Sequence, residues 1–168
     1  MARMKRLLVP LLLAAFPLHA QDAPLADTAA RTAAVLDDLG EGRALPEDLL
    51  VPRTAALFGP GFLEGDWARV TEELGAPEDA RILRVTPYAA DGDRPALSAV
   101  DFIVFHEEGL ICGYAIWQME GDAPAIRRFQ YGIATDEVLL SDEPGRSEAL
   151  RGTGCTVLPN DMTGGPLR

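Results

Sequence analysis

At Pro77 the hydrophobic spacing of this chain changes period, and the change divides it into a helical half and a β half. Before that point, Leu25, Ala29, Ala33, Leu36 and Leu39 recur at helical spacing between Pro24 and Leu39, with Asp27 placed to cap the start and Gly40 to stop the end. A second helix is predicted with Asp66 as its cap, Trp67, Val70 and Leu74 as its apolar stripe and Gly75 as its stop. Residues 41 to 65 lie between them, punctuated by glycine and proline. Their short apolar pieces, Leu49-Leu50, Leu57-Phe58 and Phe62-Leu63, leave room only for helices of one or two turns.

Beyond Pro77, branched and aromatic residues gather in runs that read as strands: Arg81 to Tyr88, Leu97 to Phe105, Leu110 to Met119 and Ile126 to Ile133, with Glu137 to Leu140 as a candidate fifth. Glu107-Glu108-Gly109 and Glu120-Gly121-Asp122 are hairpin loops, and Ala89 to Pro95 is a longer turn. The expected fold class is α+β, with N-terminal helices packed on a bent antiparallel sheet of four to five strands. The runs Leu97 to Phe105 and Leu110 to Met119 are apolar on both faces, so both faces need cover. Helices supply one cover; a second layer or a partner subunit, a homodimer included, supplies the other.

The chain opens with Arg3, Lys5 and Arg6, an uncharged stretch from Leu7 to Phe16, and a short exit ending in His19-Ala20-Gln21. That order is the pattern of a signal peptide, 1–20, cleaved after Ala20. The apolar stretch falls well short of the roughly 20 residues that a membrane-spanning helix needs, so no membrane span is expected after cleavage. The expected compartment is periplasmic or extracellular. A single domain is expected over 21–140, followed by an irregular tail rich in glycine and proline over 141–168.

Without residues 1–20 the chain carries 12 basic against 26 acidic side chains, a net charge of −14. So acidic a protein lacks the basic clusters that hold phosphate backbones, and nucleic acid is not an expected partner. All 12 of those basic residues are arginine. Cys112 and Cys155 remain after cleavage, and an oxidising compartment would let them pair, closing a loop of 44 residues.

The helix end Trp67-x-x-Val70-x-x-x-Leu74-Gly75 and the strand Gly109-Leu110-Ile111-Cys112-Gly113, in an order of helices before strands, resemble small exported members of the NTF2-like superfamily, with its cystatin-like α+β fold. The resemblance covers roughly residues 25 to 135. It implies helices packed into the concave face of an antiparallel sheet, often over a pocket. That superfamily holds isomerases, dehydratases and noncatalytic members, so the fold does not choose a function. Its steroid-isomerase type uses a carboxylate base and a tyrosine donor. Asp101 and Tyr114 are of those chemical types here, but no motif matches them residue by residue.

Asp101 stands out because it interrupts the apolar face formed by Ala99, Ile103 and Phe105, and a buried carboxylate must be paired, hydrogen-bonded or protonated. Arg84, Arg127 or Arg128 could pair with it structurally. Alternatively it faces a pocket with Tyr114 or Trp117, only one of which can join it, because the two point to opposite faces. His106, the only histidine after residue 20, is expected at a strand end beside Glu107 and Glu108, as a solvated turn residue or an acid–base group. No nucleophile motif, phosphate loop or metal-ligand spacing is present, and neither cofactor nor metal is expected; Asp91-Gly92-Asp93 reads as a turn. The expected function is noncatalytic binding of a small apolar ligand or of an envelope protein. The alternative is a proton-transfer or hydrolytic enzyme with Asp101 or His106 as base and Tyr114 as donor.

Overall fold

A computed structural model describes residues 25–140. Three helices come first, α1 (Thr28–Gly40), α2 (Pro52–Phe58) and α3 (Phe62–Leu74). Four strands follow, β1 (Pro77–Tyr88), β2 (Leu97–His106), β3 (Gly109–Glu120) and β4 (Ala123–Thr135), and then a single turn, α4 (Asp136–Leu139). The strands form one antiparallel meander in the order β1-β2-β3-β4. The chain is thus α+β with its N-terminal helices on a sheet. Among the described residues no helix is long and apolar enough to cross a membrane.

The inner face of the sheet meets the helices in one core. Val35, Leu36 and Leu39 of α1 and Trp67, Val70 and Leu74 of α3 pack on Val100, Phe102, Val104, Ile111, Ala115, Trp117 and Ile126. The inward face of α1 is rotated from the predicted one. Thr28 and Thr32 are buried, while Ala29 and Ala33 are only half-buried. The threonines can be inside because their hydroxyls are satisfied there: Thr32 donates to the Thr28 carbonyl (2.8 Å) and accepts from the Trp117 indole N–H (2.9 Å). Thr28 shares a hydrogen bond of 2.8 Å with Ser98 on β2. Together these bonds fasten the helix to the sheet at a fixed height.

The outer face carries a smaller cluster, Ile103, Leu110, Cys112 and Ala134, packed with Leu83, Phe105, Val138 and Leu139. Here the predicted fifth strand is corrected. Residues 136–139 form a helical turn that places Val138 and Leu139 against this cluster, so part of the second layer comes from the chain itself. At the centre of the sheet β3 and β4 run very close at Gly113, where a Cβ would meet the Gln130 carbonyl and lie 2.8 Å from Tyr131 Cα. Only glycine fits there.

The second predicted helix begins a turn early. It starts at Phe62, so Asp66 lies inside α3, and the N-cap is Gly61 in the left-handed conformation (φ +70°). The edge strand β4 is bulged at Arg127, between the register pairs Trp117↔Ile126 and Ile116↔Arg128. The segment before α2 docks onto that irregularity. Val51 N–H donates to the Ile126 carbonyl (3.0 Å), Ile126 N–H donates to the Leu49 carbonyl (2.7 Å), and the Thr54 hydroxyl donates to the Arg127 carbonyl (2.6 Å). The bulge therefore fixes where α2 lies, beside β4.

The predicted signal peptide and cleavage site, the predicted tail over 141–168 and Cys155 lie outside the described residues.

Candidate binding pocket

α2 and α3 are joined by Gly59-Pro60-Gly61, whose two glycines take positive φ (78° and 70°) and turn the chain back on itself. Across that turn Phe58 and Phe62 stack, with ring centroids 4.8 Å apart. Both remain nearly half exposed (47% and 46%), unusual for a stacked pair with a core beside it. They roof a cavity of about 370 Å³ whose other apolar walls include Leu50, Leu63, Phe129 and Ile133. Behind the wall Trp67 sets its edge against Phe129 and Tyr131, at centroid distances of 6.4 and 5.3 Å. A volume of a few hundred Å³ with aromatic walls suits a small organic molecule.

The polar side of this cavity holds Tyr131, Asp66 and Arg69, with Thr54 and Gln130 also in its lining. The Tyr131 hydroxyl donates a short hydrogen bond to Asp66, which also accepts from Arg69 at 2.9 Å. The Tyr131 hydrogen bond, followed by the one from Arg69, holds the Asp66 carboxyl below its ordinary range. Burial, reinforced by the Asp66 carboxylate, pushes the Tyr131 phenol well above its ordinary value. Asp66 is thus a weakened base and Tyr131 a weakened acid. The trio fixes a wall and presents a small polar patch, and it is poorly set for moving protons.

The residues singled out from the sequence do not meet here. Asp101 and Tyr114 are register partners on the outer face, and neither lines the cavity. Arg84 holds Asp101 through Nε (2.7 Å) and a terminal nitrogen (2.6 Å), the structural pairing foreseen as the alternative to a pocket carboxylate. The Tyr114 hydroxyl donates to Gln130 at 2.8 Å, and the Arg128 guanidinium lies 5.7 Å from its ring centre. Trp117 is a buried wall of the inner core with its indole N–H held by Thr32, and it does not line the cavity. His106 is no solvated turn residue. It is buried, and its Nδ1 lies 2.8 Å from the Gly75 carbonyl; since a carbonyl only accepts, Nδ1 carries the proton. Its Nε2 has no hydrogen-bond partner among the described residues and is closed off from solvent, so it offers no acid–base group to a substrate.

Sequence reasoning missed the cavity residues in different ways. Asp66 reads as a cap, and Phe129 and Tyr131 as ordinary residues of the strand predicted over Ile126 to Ile133. The usable signal was the pair of phenylalanines bracketing Gly59-Pro60-Gly61, since aromatic residues that flank a turn need a surface to cover. Among the described residues no three histidine, cysteine or acidic side chains gather as a metal site. No protein family, curated protein or solved structure matches this chain.

Proposed function

We propose that this protein is an exported, noncatalytic domain of the NTF2-like type that binds a small, largely apolar ligand between α2, α3 and β4. The observation that carries the reading is the cavity under the Phe58–Phe62 stack: it is walled by aromatic and aliphatic side chains, and its polar trio of Tyr131, Asp66 and Arg69 is already mutually satisfied. A binding site needs apolar surface and a few fixed polar groups; a proton-transfer site needs a group free to gain or lose a proton. The enzymatic alternative loses its support because Arg84 occupies Asp101, and His106 is buried against a backbone carbonyl. Helices that precede a four-stranded antiparallel meander support the NTF2-like assignment. The charge order of residues 1–20 supports export to a periplasmic or extracellular compartment. In that compartment Cys112, buried on the outer face, pairs with Cys155 and ties the C-terminal segment to the sheet.

Nile red, a neutral dye that brightens in apolar surroundings, tests the pocket on the mature protein. Saturable enhancement with altered Trp67 emission is expected, weakened at least several-fold by Phe62→Ala. The Phe62 side chain is nearly half exposed, so its removal costs about 1 kcal/mol and leaves the domain folded. Absence of saturable enhancement, or equal affinity in the two proteins, overturns the reading.

A further inference from the structure

Arginine is the sole cationic side chain among the described residues, and its nine members divide unevenly. Arg43, Arg69, Arg81 and Arg84 hold carboxylates. Arg53, Arg94, Arg127 and Arg128 hold none among the described residues, although Arg94 follows Asp93 directly and the chain carries 26 acidic against 15 basic side chains. All four line one cleft of about 1140 Å³, which runs between α2, the turn before β2 and the outer ends of β3 and β4. The other arginine without an ion pair, Arg31, lies on α1 away from it. The one carboxylate in the cleft wall is Glu120, already bonded by Gln118 at 3.3 Å. Arg128 is fixed by a bond of 2.8 Å to Gln130 and by the Tyr114 ring, which leaves the rest of its donor fork for a ligand.

The cleft and the aromatic cavity are neighbours. Thr54, Phe58, Phe129 and Gln130 line both, so the two spaces adjoin along α2 and β4. One side of that boundary is apolar and the other carries guanidinium groups with no carboxylate partner among the described residues, and such groups favour carboxylate, phosphate and sulfate oxygens. Leu57, Leu97 and Ile116 continue an apolar floor into the arginine side. We infer that these adjoining surfaces take a single-chain amphiphile with an anionic head, its apolar body against Phe58 and Phe129 and its head among Arg53, Arg94, Arg127 and Arg128. The inference rests on the pocket reading above and adds the charge of the ligand. A protein of strongly negative net charge repels anions at a distance, so the selectivity must arise locally at these four side chains.

Displacement of Nile red by decanoate and by decanol, matched in chain length, separates the two claims. The mature protein is expected to bind decanoate at least ten-fold more tightly than decanol at 20 mM salt, with the preference shrinking at 500 mM salt. Arg53→Gln/Arg94→Gln and Arg127→Gln/Arg128→Gln double variants are each expected to lose most of the preference while decanol binding holds, and Arg31→Gln is expected to retain it. Equal affinity for acid and alcohol, or an acid preference that survives both double variants, overturns the anionic head and leaves the apolar pocket standing. If the dye does not bind at all, the pocket reading falls and this inference falls with it.

Discussion

Replacing Arg84 with glutamine asks whether Asp101 is held for structure. Asp101 is buried, with 8% of its surface exposed, and both nitrogen contacts from Arg84 fall on the same oxygen, Oδ2. Bonds to a charged group are worth about 1.5 to 3 kcal/mol when the whole pair is enclosed. The Arg84 side chain is 66% exposed, so water replaces part of what is lost and the figure falls to about 1 to 2 kcal/mol. In a domain of this size that lowers the melting temperature by roughly 3 to 6 °C. Asp101→Asn is expected to cost less, because a neutral amide is easier to bury than an unpaired carboxylate. In the double variant the two losses do not add, and a coupling of about 1 kcal/mol is expected. Urea unfolding followed by circular dichroism gives all four corners of the cycle. A coupling below about 0.3 kcal/mol would refute the reasoning, since the carboxylate would then be held by something other than Arg84.

The Tyr131–Asp66 pair makes stability depend on pH at both ends. Tyr131 has a raised phenol, so its contribution is complete below about pH 10 and is lost as pH rises through its folded value; Asp66 has a lowered carboxyl, so its contribution is present above about pH 4 and is lost as pH falls through its folded value. Relative to Tyr131→Phe, the natural protein should therefore be more stable by about 1 kcal/mol at neutral pH, with the advantage fading in strong alkali. Urea midpoints that differ equally at pH 7 and at pH 11.5 contradict this. Thiol titration of the unfolded, unreduced mature protein is expected to find no free thiol, and reduction to cost about 4 kcal/mol through release of the 44-residue loop. Two titratable thiols would remove the proposed Cys112–Cys155 pairing.

The strands were legible because their apolar runs could be nothing else: β2 and β3 carry branched or aromatic residues on both faces and sit in the middle of the sheet. The helices were legible in position and less so in orientation. Thr28 and Thr32 displaced the alanines from the inward face of α1 because Trp117 and Ser98 needed hydroxyl partners, and such partners come from another part of the chain. Glu137 to Leu140 was too short to show a period, and packing on the outer cluster decided for a helical turn. The pocket was illegible for a similar reason. It exists because the segment around Leu50 bonds to the edge strand at the Arg127 bulge, a contact spanning more than seventy residues. The sequence offers no local mark of such a bond.

Asp101 and the four cleft arginines obey one rule from opposite sides. A carboxylate removed from water requires a cation, and this chain drew that cation from a small supply of arginines. Arg84 was therefore committed once Asp101 was buried, and Arg69 was committed beside the buried edge of the Tyr131 pair. Where acids are abundant and guanidinium groups few, an arginine often finds a partner within a few residues, as Arg81 does in Asp79 and Arg43 in Asp38. Four arginines that meet at one cleft without such partners among the described residues depart from that pattern. An anion arriving there would meet guanidinium donors that no carboxylate of the described residues engages. The conspicuous acid in the sequence thus belongs to the framework, and the quieter arginines form the recognising surface.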